Sequence, residues 1–106
     1  MNHRMPDNYP LRSVVVAGNL MAAALEHADL YEEMEIDSLI LTWDGALARA
    51  PVGSVPDHIA GAGNGISSAL AWGQNLDDDM LAILIYCWRT SINVLRLLHT
   101  HQQEAA

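Results

Sequence analysis

The stretch Met80–Trp88, MLAILIYCW, contains no charged residue, and it constrains the fold more than any other part of the chain. It lies inside a segment that reads as one long helix. Asn75 or Asp77 can cap its start, and Asp77, Asp78 and Asp79 sit where the helix dipole favours carboxylates. Arg96, His99 and His101 lie toward its end, where positive charge is favoured. A helix that covers one side of a core needs an apolar stripe only about 100° wide. Ile83, Leu84, Ile85 and Tyr86 are consecutive and sweep nearly a full turn, so the first half of this helix is apolar on every side. In a chain of 106 residues the other segments can cover about two of those sides, and a second chain is the expected cover for the rest. Leu81, Leu84, Trp88, Leu95 and Leu98 form a heptad-like seam, broken by Ser91. The residues expected to touch a protein partner are Leu81, Leu84, Ile85, Trp88, Ile92 and Leu95. A central helix buried in a bundle would show the same pattern.

The upstream segments are also helical in pattern. Residues 1–12, with Pro6, Asn8 and Pro10, read as an extended arm. A helix is expected from about residue 14 to 34, with Leu20, Ala24, Ala28 and Tyr31 near one face and Met21, Leu25 and Met34 beside them. Val14, Val15 and Val16 also suit an extended chain, and Gly18 weakens the helix near its start. Residues 36–43 leave the same choice open. Their β-branched residues allow a strand, but Leu39, Ile40 and Leu41 break the alternation. The stripe of Leu39, Ile40, Trp43, Ala46, Leu47 and Ala50 favours helix, and Gly45 weakens it. Pro51, Gly53 and Pro56 make residues 50–57 a loop. Gly61, Gly63 and Gly65 suggest a flexible segment before a short helix over 66–74, and no internal repeat is evident. The expected fold is all-α: a small domain of three to four helices over residues 13–103, with a long C-terminal helix, a tail over 104–106, and dimerisation.

Composition narrows the function. The chain is 51% hydrophobic and 17% charged, which argues against disorder. Its five basic residues are all arginine, and thirteen carboxylates bring the formal charge to −8. Such a surface repels phosphate backbones and anionic membranes, so direct nucleic-acid binding is not expected. The single cysteine, Cys87, has no internal partner for a disulfide. Met1–Pro10 lacks the apolar core of a signal peptide, and Met80–Trp88 is about half a membrane span, so the expected location is cytoplasmic.

No motif for site chemistry survives scrutiny. Gly61-x-Gly63-x-Gly65 has neither the spacing of a dinucleotide loop nor the Lys of a P-loop. His99 and His101, two apart on a helix, point about 200° from each other and do not chelate one ion. The Asp77–Asp79 run lacks the alternation and closing glutamate of a calcium loop. No cofactor, metal or catalytic residue is expected. The reading is a binding protein and not an enzyme, with a site assembled around His27 or His58 as the enzymatic counter-reading. A second binding reading is an acidic decoy or anti-defence protein that occupies a basic nucleic-acid-binding surface through its carboxylates.

Two stretches carry a family likeness: SVVVAGNLMAAALEHADLYEEMEIDSLILTWDGALARA over residues 13–50, and MLAILIYCWRTSINVLRLLHTHQ over 80–102. In overall sequence and size the chain resembles the quorum-sensing antiactivators of the QslA type from pseudomonads. The resemblance implies a small dimeric protein that binds the ligand-binding domain of the LuxR-type activator LasR. It implies that binding covers the surface through which the activator dimerises, and so prevents DNA binding.

Overall fold

A run of small and branched residues, Val14 to Leu25, opens the first helix, α1 (Arg12–Glu26). The computed structural model describes residues 11–72 and 77–105, and these form four α-helices without a strand. After α1 come a short 3-10 turn over Ala28–Leu30, then α2 (Glu33–Arg49), α3 (Asp57–Trp72) and α4 (Asp78–Ala105). The all-α architecture with a long C-terminal helix agrees with the pattern of the sequence. The choice left open at residues 14–16 and 36–43 falls to helix at both places.

Four boundaries differ from expectation. The helix expected over 14–34 ends at Glu26, because His27 leaves the helical region at φ −129°, ψ 45°. The Leu30 N–H then donates to the His27 carbonyl at 2.9 Å, which closes the 3-10 turn. Glu32 restarts the chain in an extended conformation, and Glu35 Oε1 accepts the Glu32 N–H at 3.1 Å, the returning half of a capping box. Neither Gly nor Pro marks this reversal. At the N-terminus, Arg12 is already helical and Leu11 is buried, so the arm does not reach residue 12; residues 1–10 lie outside the described part. At the other end α4 continues through Ala105, past the expected tail boundary at 104. Asp77 is its cap, with Oδ1 accepting the Met80 N–H at 2.8 Å; Asn75, the other candidate, lies outside the described residues.

The largest difference is α3. It begins at Asp57, nine residues before the short helix expected from Ile66 (66 − 57), and it runs straight through Gly61, Gly63 and Gly65. Each interior glycine costs roughly 1 kcal/mol of helix propensity relative to alanine, so something must require at least one of them. Gly63 is buried beneath Trp43, and a Cβ there would overlap the six-membered ring of that indole. Gly63 is thus a seat for an aromatic ring rather than a hinge.

The same device appears a second time. Gly18 of α1 is buried beneath Trp88 of α4, and a Cβ there would overlap the Trp88 ring. Each indole N–H donates to the asparagine that follows its glycine: Trp43 Nε1 to Asn64 Oδ1 at 2.9 Å, and Trp88 Nε1 to Asn19 Oδ1 at 2.8 Å. Gly18 and Gly63 are 45 residues apart (63 − 18), and so are Trp43 and Trp88 (88 − 43). At that offset Ala17-Gly18-Asn19 matches Ala62-Gly63-Asn64, Ala24-Leu25 matches Ala69-Leu70, and Leu39-Ile40 matches Leu84-Ile85. The buried pairs Val14/Ile59 and Met21/Ile66 follow the same offset. The molecule is therefore two copies of one helical hairpin, α1–α2 and α3–α4, contrary to the absence of a repeat read from sequence.

The two hairpins clasp each other reciprocally. The second helix of each hairpin sends its tryptophan across to the first helix of the other. The two indoles meet edge to face, with ring centroids 5.7 Å apart at 81°. Trp43 and Trp88 are 0% and 1% exposed, so the core sits where the hairpins exchange these side chains. The two hairpins are joined by residues 50–56, where Gly53 takes φ +76°, a conformation that glycine adopts without the strain a Cβ would bring.

Candidate protein-docking surface

Helix α4 has two apolar sides, and the fold uses one. Ile85, Trp88, Ile92 and Leu95 recur at helical spacing and are each 7% exposed or less, and the half-buried Leu81 and Leu84 pack against the same core. These six are the residues expected from sequence to meet a partner. The structure brings them together on one side, but that side closes the chain's own core against the other helices. Ser91, which interrupts the seam in sequence, is buried with them, and its Oγ donates to the His58 carbonyl at 3.2 Å. It stands where the first hairpin has Ala46, a satisfied polar residue in an apolar position.

The accessible side is the opposite one. Met80, Ile83, Cys87, Thr90, Val94 and Leu97 recur at alternating steps of three and four, the spacing of a coiled-coil seam. All six are exposed, Ile83 at 60% and Leu97 at 71%, and Tyr86 beside them is 70% exposed. At 1.5 Å per residue the stripe is about 26 Å long. No charged residue interrupts it. This spacing was legible in the sequence, but the sequence does not say which of the two apolar sides the chain covers.

The first hairpin supplies an internal control. At the matching positions of α2, Met80 becomes Glu35, Ile83 becomes Ser38, Cys87 becomes Thr42, Thr90 becomes Gly45 and Val94 becomes Arg49. The same fold, built from the same interior, thus tolerates a polar outer face. The apolar outer face of α4 is not something the hairpin needs in order to fold. Large exposed apolar stripes of this kind mark association surfaces.

Beside the stripe, α1 and α4 enclose an open groove of about 430 Å³, with Leu81, Ala82, Ile85 and Tyr86 on its apolar part. Arg89 donates to Glu26 Oε1 at its edge, a contact between α4 and α1 that no local pattern announces. His27 also lines the groove; its Nε2 is 4.0 Å from Glu26 Oε2, beyond hydrogen-bond reach. His58 sits in the first turn of α3, where its carbonyl accepts from Ser91 Oγ. Among the described residues no three His, Cys, Asp or Glu side chains gather to hold a metal ion.

By length and composition alone, Asp78–Leu98 would suffice to cross a membrane, with a mean hydropathy of 1.4. In this fold its inner side is the wall of a protein core, and Arg89 and Arg96 lie within the same window, where charge is costly in a bilayer. Only 28% of that window is buried, so the helix walls the core on one side and is exposed on the other.

Among the described residues, fold and surface together define a class: four helices in two clasped hairpins, with an apolar face of α4 exposed. No protein-family model, curated protein or solved structure matches the chain.

Proposed function

We propose that this protein is a binding partner that acts by stoichiometry rather than catalysis: a negative regulator that covers the dimerisation surface of a LuxR-type transcription activator and so keeps it from DNA. The observation that carries the reading is the outer stripe of α4, Met80 to Leu97, apolar and exposed where the equivalent face of α2 is polar. Blocking a dimer interface requires an apolar face that competes with self-association, and needs no reactive group. A formal charge of −8 gives the protein little affinity of its own for the promoter. The resemblance to QslA-type antiactivators supplies the partner, the activator's ligand-binding domain, and with it a cytoplasmic place of action. In the same reading the free protein pairs with a second copy, which hides the stripe from water until the activator is met.

Co-purification with the ligand-binding domain, followed by light scattering, tests this. The expected result is a defined complex in which the activator domain is no longer a dimer, and from which Leu97→Asp is excluded. An activator domain that remains dimeric in excess protein would contradict the proposal.

A further inference from the structure

The flank of α4 that meets α1 holds a cleft that the clasp does not fill. Ala82, Arg89 and Arg96 are spaced by seven residues, two helical turns, so they follow one another along that flank. Toward the start of α4 the cleft is the apolar groove of about 430 Å³. Toward the end it is a concavity of about 220 Å³, lined by Asn19, Trp88, Arg89, Ile92, Asn93 and Arg96. Arg89 lines both, so the two adjoin. Glu26, the one carboxylate lining the groove among the described residues, is taken by Arg89, and none lines the concavity. Arg96 is exposed and has no ionic partner among the described residues. Asn19 accepts the Trp88 indole N–H through Oδ1 at 2.8 Å, which sets the other end of its amide, Nδ2, as a donor. The concavity thus gathers donors and positive charge in a chain whose formal charge is −8. The first hairpin shows that the fold does not require this. At its matching positions Ala82 becomes Asp37, Arg89 becomes Asp44, Asn93 becomes Ala48 and Arg96 becomes Pro51, while Trp43 and Asn64 keep the tryptophan and the asparagine.

We propose that the α1–α4 cleft is a binding site for a small carboxylic acid with an unbranched apolar tail. The carboxylate lies in the concavity, where Arg96 and the Asn19 amide donate to it. The tail lies in the groove against Leu81, Ala82, Ile85 and Tyr86. From Arg89 back to Leu81 is about 12 Å along the helix axis, which suits a medium-length alkyl chain. Both parts of the ligand are needed. A purely apolar molecule would strip water from Arg96 and return nothing, whereas a carboxylate restores its hydrogen bonds in paired geometry. A bare anion would leave the apolar wall in water. An apolar wall with a few placed polar groups is the usual composition of a small-molecule site. This cleft faces α1 and not the outer stripe, so the inference stands independently of the docking role proposed above.

Octanoate titrated into the isotope-labelled full-length protein tests this, read by NMR at the tryptophan indole N–H signals. Trp88 bonds to Asn19 at the proposed head site, and Trp43 bonds to Asn64 in the matching place without the arginines. The Trp88 signal is expected to shift on titration, and the Trp43 signal to move far less. Acetate, which lacks the tail, is expected to bind about tenfold more weakly or worse, since each buried methylene strengthens binding by roughly threefold to fourfold. Octylamine, with a comparable tail and the opposite charge, should be weaker by a similar factor. Arg96→Gln, at an exposed position, should weaken octanoate by about tenfold with helicity unchanged. Ala82→Asp, which copies Asp37 of the first hairpin at an exposed position, should weaken it by as much through the tail. Octanoate that leaves the Trp88 signal in place overturns the inference, as does equal binding by wild type and Arg96→Gln. Acetate or octylamine that binds as tightly as octanoate overturns it too.

Discussion

The two hairpins share an interior and differ in their exteriors. Inside, Trp43 and Trp88 lie in matching seats, on Gly63 and Gly18, and hold matching asparagines. Outside, α2 shows Glu35, Ser38, Thr42 and Arg49 where α4 shows Met80, Ile83, Cys87 and Val94. The comparison separates two kinds of constraint within one chain. What both hairpins keep is what the clasp needs for packing. What only the second carries is free of that demand, so it calls for a different explanation, and association is the one that an exposed apolar stripe supports.

If the interiors are equivalent, matched substitutions must have matched effects. The largest falls on the tryptophans. Trp43→Ala and Trp88→Ala should each cost about 4 kcal/mol, and the two values should agree within about 1 kcal/mol. Against a typical total of roughly 5–15 kcal/mol that brings both variants near unfolding. Urea denaturation followed by circular dichroism measures it, and a large asymmetry would break the equivalence.

The glycine seats come next. Gly18→Ala and Gly63→Ala should destabilise by about 2–3 kcal/mol, because the added methyl displaces a buried indole, and this outweighs the roughly 1 kcal/mol gained in helix propensity. Gly61 sharpens the point. It lies in the same helix as Gly63, and a methyl group added there would meet nothing within 4 Å, so Gly61→Ala should stabilise by about 0.5–1 kcal/mol in the same assay. Opposite signs two residues apart would show that packing, not flexibility, keeps Gly63. The smallest effect is expected at the entry to α4, where Asp77→Ala removes the acceptor for the Met80 N–H and should cost about 1 kcal/mol or less.

Much of the fold was legible before the structure. The apolar periodicity gives α2 and the capped start of α4, and the prolines give the break at 50–56. The misreadings at the glycines have one physical origin: glycine reads as flexibility when its partner is distant in sequence. Gly63 looks like part of a loop until Trp43 is placed on it, and Gly18 looks like a weakness until Trp88 arrives from 70 residues away (88 − 18). The turn at His27 is invisible for the converse reason, since no local breaker imposes it. As for the docking face, sequence reveals that α4 has apolar residues on all sides. It cannot say that Leu81, Leu84, Ile85, Trp88, Ile92 and Leu95 face inward, because that depends on which side receives α1 and α3. The repeat was readable in principle, at an offset of 45 (63 − 18), but its identities are scattered and confined mostly to the interior.

The measurement that bears most directly on the docking face uses the two hairpins against each other. Ile83→Asp and Ser38→Asp place the same charge at equivalent positions of α4 and α2, both exposed. Titration of each variant onto the ligand-binding domain of the proposed LuxR-type partner should show Ile83→Asp weakened by about a hundredfold or more and Ser38→Asp unchanged, with both proteins as helical as wild type. Equal binding by the two variants would contradict the assignment of α4's outer face.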